Sequence, residues 1–355
     1  MKNAIEMSSA DFKSAVLKAK KGCGKVGAFI RIQSDEGRIS FTGASSRMVA
    51  KAYVTPEEYG EIDIRVSPDV LSGVASSLAG DSVRLVPGKM HLGISSGGAR
   101  IRVPGAEETV DYAGKRDSES FSTGTISLDF IRGVSHATMP NCPSNPLKES
   151  IHLQFGDGVA KATATDAYRI ALRGQGKPDF GVIIDATDAK KACEMFREEA
   201  EIRISDRRRY IVISDGDVEV ILRTLDRSYF NLGAYLSERE AGPEGYVERE
   251  SLLKSLRACL VMDSKAIIEI SDGAFRMEAR SELGEISNAV EMENITDAGT
   301  TGRTCMNVKY LIEALSAMKS ERVRISLGKK KREPMYIDAT GETEILLPIQ
   351  VLSLS

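Results

Sequence analysis

Three histidines and five cysteines are the residues of this 355-residue chain that could most readily bind a metal or act as nucleophiles. His91, His136 and His152 show neither HxH nor HExxH spacing, and no cysteine joins them in a metal-binding pattern. The cysteines are scattered without a CxxC pair, which is typical of reduced packing residues in a cytoplasmic protein. The phosphate-binding pattern GxxxxGKS/T is also absent. We therefore expect no metal, no cofactor and no catalytic residue, and keep a hydrolase as the rival class.

One carboxylate, Asp166, stands in a segment that could be given a catalytic role. It belongs to residues 164–172, ATDAYRIAL. Ile151, Leu153 and Phe155 alternate before this segment, a Gly-Asp-Gly turn follows at 156–158, and residues 159–164 return as a partner strand. An aspartate directly after such a hairpin is typical of a turn that is closed by side-chain hydrogen bonds. We favour that interpretation of Asp166 over a catalytic acid.

Length and charge limit the kind of protein further. A chain of 355 residues suits two or three domains. No apolar run approaches the roughly 20 residues that a membrane helix needs, and the first residues lack the apolar core of a signal peptide. The formal net charge of −3 argues against a surface that is basic throughout. It remains compatible with one basic face.

Six helix starts are predicted from capping residues that precede apolar residues at helical spacing. They lie at Ser8 or Ser9, Ser67, Ser127, Thr187, near Arg249, and at Asn307. The second helix begins Ser-Pro-Asp, and its predicted apolar stripe is Val70, Leu71, Val74 and Leu78. Strands are predicted at 26–32 and 38–42, among others, and polar linkers at 111–123 and 238–248.

The order helix, strands, helix, strands occurs three times. Ser67, Thr187 and Asn307 are 120 residues apart, and the other three helix starts have about the same period. This predicts three similar α+β domains, because the period is too long for a solenoid, whose repeats run about 20–50 residues. The periodicity leaves two arrangements open: unrelated tandem domains, or a segmented arc that two chains close into a ring.

Four segments resemble the bacterial DNA sliding clamp, the beta subunit of DNA polymerase III. ATDAYRIAL is similar to the family's ATDGHRLA, and ILLPIQV at 345–351 to its VVMPMRL. NVKYL at 307–311 resembles NVSYVLDVL, and RSYFN at 227–231 resembles GRFPDY without the proline. With the threefold repeat, the resemblance spans nearly the whole chain and implies a divergent clamp.

The resemblance implies a fold and a function. The fold is α+β, with three tandem clamp-type domains at 1–122, 123–242 and 243–355, and two chains form a head-to-tail ring. Helices line the hole and antiparallel sheets form the outer wall. The implied partners are duplex DNA, bound without sequence preference, a replicative polymerase, a clamp loader and other proteins with clamp-binding motifs.

The resemblance also implies a peptide-binding pocket between the second and third domains. An extended peptide would lie in an apolar cleft with a few polar groups. The family has Gly-His where Ala167 and Tyr168 stand, and methionines where Leu347 and Ile349 flank the proline. Stiffer aliphatic residues imply a narrower or shifted partner preference. The matching positions are Leu147, Thr165, Ala167, Tyr168, Arg169, Ile170, Phe230 (or Tyr229), Tyr235, Asn307, Tyr310, Leu346, Leu347, Pro348 and Ile349.

Lysines and arginines on the inward helices would attract DNA phosphates without reading bases. A single one of them also fits an ordinary solvated helix face, so the prediction concerns the set. The predicted DNA-binding residues are Lys13, Lys18, Lys20, Lys21, Lys25, Lys190, Lys191, Lys254, Arg257 and Lys309.

Ring closure would pair a strand edge of the first domain with one of the third domain of the partner chain. Arg100 and Arg102 lie on the first edge, and the second is acidic. Opposite charges would set the register, and Leu260 and Val261 would add apolar contact. The acidic residues of the second edge are Glu282, Glu285, Glu291 and Glu293.

Three further features allow two interpretations each. The clamp-like motifs fit a clamp that encircles DNA, and they also fit a clamp paralogue that binds partners without encircling DNA. The basic run 329–332 fits a solvated hairpin loop better than a nucleic-acid contact. The tail 350–354, QVLSL, faintly resembles glutamine- and leucine-containing peptides that bind such pockets, and a frayed terminus is the favoured alternative.

Overall fold

A computed structural model describes most of the chain. The described residues are 4–25, 28–106, 121–124, 126–142, 144–197, 199–205, 207–232, 236, 239, 242–296, 300–330 and 332–349. They form two compact units. Unit 1 contains residues 1–128 and 188–225, and unit 2 contains residues 129–187 and 226–355.

The described residues contain six α-helices: α1 (Ser9–Gly22), α2 (Pro68–Ser77), α3 (Leu128–Val134), α4 (Ala186–Cys193), α5 (Arg249–Met262) and α6 (Val308–Ala317). Side chains cap several of them, as the sequence predicts. The Ser8 hydroxyl accepts a hydrogen bond from Asp11 N, and the Asn307 amide oxygen accepts from Lys309 N and Tyr310 N. All six predicted helix starts are confirmed to within two residues.

Unit 1 contains two antiparallel sheets in its described part. The first sheet has the order β1 (Ile5–Ser8), β6 (Ser82–Pro87), β7 (His91–Ser96), β8 (Ala99–Pro104). The second sheet has the order β5 (Asp63–Val66), β2 (Ile30–Asp35), β3 (Arg38–Ala44), β4 (Met48–Val54), β16 (Val218–Arg223), β15 (Tyr210–Ser214), β14 (Glu201–Ser205), β9 (Phe121–Gly124). Strands β4 and β16 pair although about 170 residues separate them, with Ala50 opposite Val220.

Unit 2 contains one long antiparallel sheet, here called the third sheet. Its order is β13 (Phe180–Asp185), β10 (Ser150–Gly156), β11 (Val159–Thr165), β12 (Arg169–Arg173), β24 (Glu342–Leu346), β23 (Met335–Ala339), β22 (Arg322–Ser326), β17 (Glu244–Glu248), β20 (Gly284–Asn294), β19 (Ala274–Ser281), β18 (Lys265–Ser271), β21 (Gly302–Asn307). The predicted 150s hairpin is confirmed as β10 and β11, with Gly158 at a φ of 65° in the turn.

Helices cover sheets in both units. Helix α1 packs on β3, β4 and α2, and it buries Phe12, Val16 and Ala19. Helix α5 packs on β19, β20 and α6, and it buries Leu252 and Leu256. Burial of a Leu or Phe side chain stabilises the fold by roughly 1.5–3 kcal/mol. The two helix faces therefore hold the apolar cores of their units together.

The structure corrects several element predictions. Val70 is 45% exposed, so it lies outside the buried face of α2, which Leu71, Ser72 and Ala75 form; the predicted Val74 and Leu78 are partly buried against the same core. The strand predicted at 26–32 runs from Ile30 to Asp35, because it pairs with β3 and β5 only there; residues 26 and 27 lie outside the described part.

Both predicted linkers end in strands. Residues 121–124 pair with β14, and β17 at the end of the second linker pairs with β20 and β22. Distant pairing partners override the local turn composition at both places. The division into three domains at 122 and 242 stays a prediction.

Candidate partner-binding cleft and DNA-facing helices

The ATD segment forms a tight turn that Asp166 holds closed. The Asp166 carboxylate accepts hydrogen bonds from Tyr168 N at 2.9 Å and Arg169 N at 3.0 Å. Thr165 Oγ1 accepts from Ala167 N and donates to Arg169 O. Ala167 has a φ of 73°, a conformation that costs energy in a residue other than glycine. The structural interpretation of Asp166 is confirmed, and the turn leaves the Tyr168 side chain 52% exposed.

The C-terminal strand joins this turn directly. In the β12–β24 pair, Arg169 lies opposite Leu346 and Ile170 opposite Ile345. Leu347 N donates to Tyr168 O at 2.9 Å, which sets the 43% exposed Leu347 side chain next to Tyr168. Two sequence motifs about 180 residues apart thus adjoin each other. We call the surrounding region, which is predicted to bind partners, the partner cleft and define it by Tyr168, Leu347, Pro348, Ile349 and Tyr310.

A buried arginine lies beneath the cleft. The Arg169 guanidinium donates to Asp166 Oδ2 at 3.0 Å, to Glu313 Oε2 at 2.5 Å and to His136 O at 2.5 Å. Its carbon Cζ lies 4.2 Å from the centroid of the Tyr310 ring, within cation–π range. Burial raises the pKa of Tyr310, and the charge of Asp166 raises it further. The aromatic ring of Tyr310 is therefore held in place by Arg169, and its hydroxyl stays neutral.

A second ion-pair cluster lies behind the first. Glu344 is fully buried; its carboxylate accepts a hydrogen bond from Arg173 Nη2 at 2.7 Å, and its Oε2 lies 3.1 Å from His136 Nε2. Glu342 accepts from the backbone N of Lys319 and Ser320. His136, Arg173, Glu313 and Glu344 were missed by sequence reasoning. For Glu344, the available signal was an acidic residue directly before the apolar pair Ile345 and Leu346.

Aromatic rings pack against the β10–β11 hairpin near the end that leads into the ATD turn. The Tyr229 ring lies 4.8 Å from both the His152 and the Phe230 rings, and its hydroxyl donates to Thr163 O at 3.3 Å. Burial lowers the pKa of His152 to about 4 and raises that of Tyr229. His152 is thus a neutral packing residue.

The other predicted cleft residues occupy varied positions. Leu147 lies in a 3₁₀ turn (Pro146–Glu149), and the neighbouring Lys148 Nζ is 5.3 Å from the Tyr168 ring. Leu346 is buried in the unit 2 core, and Asn307 caps α6. Thr165, Ile170 and Phe230 are half-buried. Tyr235 lies outside the described residues, as does the tail 350–355.

The predicted DNA-binding residues fall into two groups. Lys20 and Lys21 are engaged within unit 1: Lys20 pairs with Asp69 and Lys21 with Glu194, each at 2.8 Å. The Lys21 contact lowers the pKa of Glu194. Lys18 and Lys191 are half-buried. The remaining ones are exposed: Lys13, Lys25 and Lys190 in unit 1, and Lys254, Arg257 and Lys309 in unit 2.

The two predicted ring-closing edges differ in form. Among the described residues, β8 with Arg100 and Arg102 is an outer strand of the first sheet. Strand β20 carries Glu285, Glu291 and Glu293, pairs with β19 along its length, and meets β17 only at 292–294. Val261 is 76% exposed, whereas Leu260 packs against the unit 2 core.

The described residues were compared with the features of a metal site and of a membrane helix. No group of three or more His, Cys, Asp and Glu side chains there could hold a metal ion. None of the described helices is long and apolar enough to cross a membrane.

Known proteins resemble the chain in sequence and fold. The beta sliding clamp of Streptococcus pneumoniae is 22% identical over 218 residues, which cover 57% of this chain and 56% of that protein. The match therefore spans little more than half of the length of this relative. No protein-family model matches the chain.

Solved structures match nearly the full length. The DNA polymerase sliding clamp of Pseudomonas aeruginosa has a TM-score of 0.83 at 15% identity, covering 98% of this chain and 99% of that one. The Helicobacter pylori beta clamp, solved with a DNA ligase peptide, has a TM-score of 0.83 at 16% identity and coverage of 98% and 100%. The chain therefore has the fold of the bacterial sliding clamps, and it is similar in sequence to one of them over little more than half of its length.

Proposed function

We propose that this protein is a DNA polymerase processivity factor. Two copies close into a ring around duplex DNA, and the ring tethers a replicative polymerase and other partners through the cleft. The near-complete coverage of known clamp structures is the observation that carries the proposal. The activity is mechanical and needs no catalytic residue; a separate clamp loader opens the ring.

Sequence-independent attraction fits the exposed cations of α1, α4, α5 and α6. Lys13, Lys190, Lys254 and Lys309 carry exposed ammonium groups. Such groups bind phosphates as point charges and allow sliding. They act as a set, and each one contributes little alone.

The cleft suits an extended peptide with apolar side chains. Tyr168 and Leu347 offer exposed apolar surface, while Arg169 and Glu313 fix the turn below them. A rigid apolar surface with few polar groups is the common form of a peptide-binding groove. Leu347 and Ile349 in place of flexible methionines favour a narrower set of partners.

Retention on circular DNA tests the proposal. After loading on a nicked circle with a clamp loader, the protein should stay bound in high salt and leave when the circle is cut. A basic protein that does not encircle DNA would dissociate with salt from both forms. That second result, with the partner cleft still active, would identify the alternative: a paralogue that binds partners without encirclement.

A further inference from the structure

Arginines collect at one end of the second sheet in unit 1. The β14–β15 hairpin carries Arg207, Arg208 and Arg209, β16 ends at Arg223, and Arg47 directly precedes β4; all five residues are exposed. We call these five residues the arginine edge. Their segments touch, because Arg223 N donates to Arg47 O at 2.8 Å and Thr224 N donates to Arg209 O at 2.9 Å.

The hairpin of the arginine edge is held by one buried hydroxyl. Ser205 Oγ accepts hydrogen bonds from Arg209 N at 3.0 Å and Tyr210 N at 3.1 Å, and Ser205 is 1% exposed. Arg208 has a φ of 56°, which turns the chain within the three arginines. The guanidinium groups therefore project from a fixed turn, so less conformational entropy is lost when they bind.

The arginine edge continues onto helix α4. Arg47 Nε lies 3.1 Å from Asp188 Oδ2, and Lys191 Nζ lies 3.9 Å from Asp188 Oδ1. The exposed Lys190 lies on the same helix. Asp188 thus links the arginine edge to Lys191, one lysine of the predicted DNA-facing set. The resulting surface has a strong excess of positive charge.

The opposite end of the same sheet is acidic. The β2–β3 turn contains Asp35 and Glu36, the β15–β16 turn contains Asp215 and Asp217, and β14 begins at Glu201. The strand registers place these residues at the far ends of the strands that lead to the arginine edge. Arg38 and Lys51 offset part of this acidic charge, and Lys51 Nζ lies 2.8 Å from Asp35 Oδ2. A polyanion is therefore attracted more strongly to the arginine end of the sheet than to this end.

The chemistry of the arginine edge selects a phosphate backbone over a peptide. Guanidinium groups match phosphate oxygens with paired hydrogen bonds. Peptide-binding surfaces are anchored by apolar or aromatic side chains. Among the described residues, no large exposed apolar side chain lies within the segments that carry these arginines.

We propose that the arginine edge binds the phosphate backbone of duplex DNA as a second contact, adjoining the lysines of α4. This rests on the proposed function, since it assumes that DNA lies along α4. The contact is independent of sequence and acts on DNA that leaves the α4 face toward this end of the sheet. DNA is therefore expected to contact unit 1 at the end of the second sheet that carries the arginine edge, and not at the opposite end.

Equilibrium binding of a short linear duplex tests the proposal without loading. The variant R207Q/R208Q/R209Q should bind at least about tenfold more weakly near 50 mM salt, and its log–log salt slope should be smaller by about 2–3. The matched control K329Q/K330Q/R332Q removes the same charge from an exposed loop of unit 2 and should change binding less than about twofold. Thermal unfolding should be alike in both variants.

Three results would overturn the inference: no loss of binding, an equal loss in the control, or equally tight and equally affected binding of an oligoglutamate peptide. The last result would identify an acidic protein as the occupant. Retention on nicked circles in high salt separates this proposal from the function. The arginine variant should be retained like the wild type, because encirclement does not need these residues. A further combination is weaker binding of linear duplex by the arginine variant while the wild type is not retained on nicked circles. That combination would refute the ring and leave the arginine contact standing.

Discussion

The partner cleft of unit 2 and the arginine edge of unit 1 both form where strands end, yet their supports differ. Beneath the cleft, Arg169 and Glu344 lie in buried ion pairs that fix the turn. The arginine edge has exposed side chains on a hairpin that the backbone and one serine hold. An apolar groove must keep its shape to bind, whereas phosphate attraction needs charges in the right place.

This difference predicts where substitutions destabilise the protein. Substitutions under the cleft should weaken both peptide binding and the stability of the fold, because the loss of one ion-pair partner leaves the other charge buried without full compensation. Residues of the arginine edge should affect binding alone, since exposed substitutions change stability by no more than about 0.5 kcal/mol. Four experiments sharpen or break this contrast.

The largest effect is expected for Glu344→Gln. Arg173 would lose its fully buried carboxylate partner and keep only Glu342, whose Oε1 lies 3.6 Å from Arg173 Nε, so the free energy of unfolding should fall by about 3 kcal/mol. Urea denaturation measures the change, with Arg223→Gln as the exposed control. Equal stability of both variants would show that the buried cluster does not support the cleft.

A pH-dependent loss of stability is expected from His152. Burial lowers its folded pKa to about 4 from the ordinary 6.5, so the unfolded chain takes up the proton first. The stabilisation is complete above about pH 6.5 and is lost as the pH falls toward 4, on the order of 2 kcal/mol after allowance for partial solvent access. Denaturation of wild type and His152→Gln across this range measures it; parallel curves would contradict the assignment.

Leu347→Ala should weaken binding of polymerase-derived peptides about tenfold, because it removes apolar contact surface from the cleft. Fluorescence anisotropy with labelled peptides measures the loss. Leu283→Ala, at a side chain that is 90% exposed, is the control and should bind normally. Unchanged affinity of the Leu347 variant would remove this residue from the cleft.

The smallest free-energy change is expected for Arg102→Glu. A like charge opposite the acidic strand β20 of a partner chain should cost roughly 1 kcal/mol and shift a homodimer toward monomer. Light scattering over a dilution series detects the shift, and Lys177→Glu in an exposed loop is the control. A variant as dimeric as the control would place Arg102 outside the interface.

Local signals predicted the helices well and the strand ends poorly. Ser8 and Asn307 cap their helices through their own side chains, so the sequence within one turn suffices. Strands β9 and β17 follow linker-like sequences and exist through partners elsewhere in their sheets. The exposed Val70 likewise depends on which face of α2 meets α1, and apolar spacing alone could not decide this.

The candidate site shows the same division. The ATD turn and the final Leu-Pro-Ile segment were identifiable as motifs, and Asp166 closes its turn with neighbours two and three residues away. Glu313 and His136 were not identifiable, because their partner Arg169 lies 144 and 33 residues away along the chain. The predicted ring edges and the tail depend on a second chain or on residues outside the described part, and stay predictions.

The sequence by itself determined the helix starts, the threefold period, the hairpin before Asp166 and the lack of metal or phosphate-binding patterns. Each of these depends on contacts between residues that are close along the chain. Only the tertiary structure decided that Leu347 lies beside Tyr168, that Glu344 is buried between Arg173 and His136, and that Arg47 adjoins Arg223. The physical reason is that strand pairing joins residues as far apart as Arg169 and Leu346, which are 177 positions apart along the chain, and the register is fixed by packing across the whole sheet.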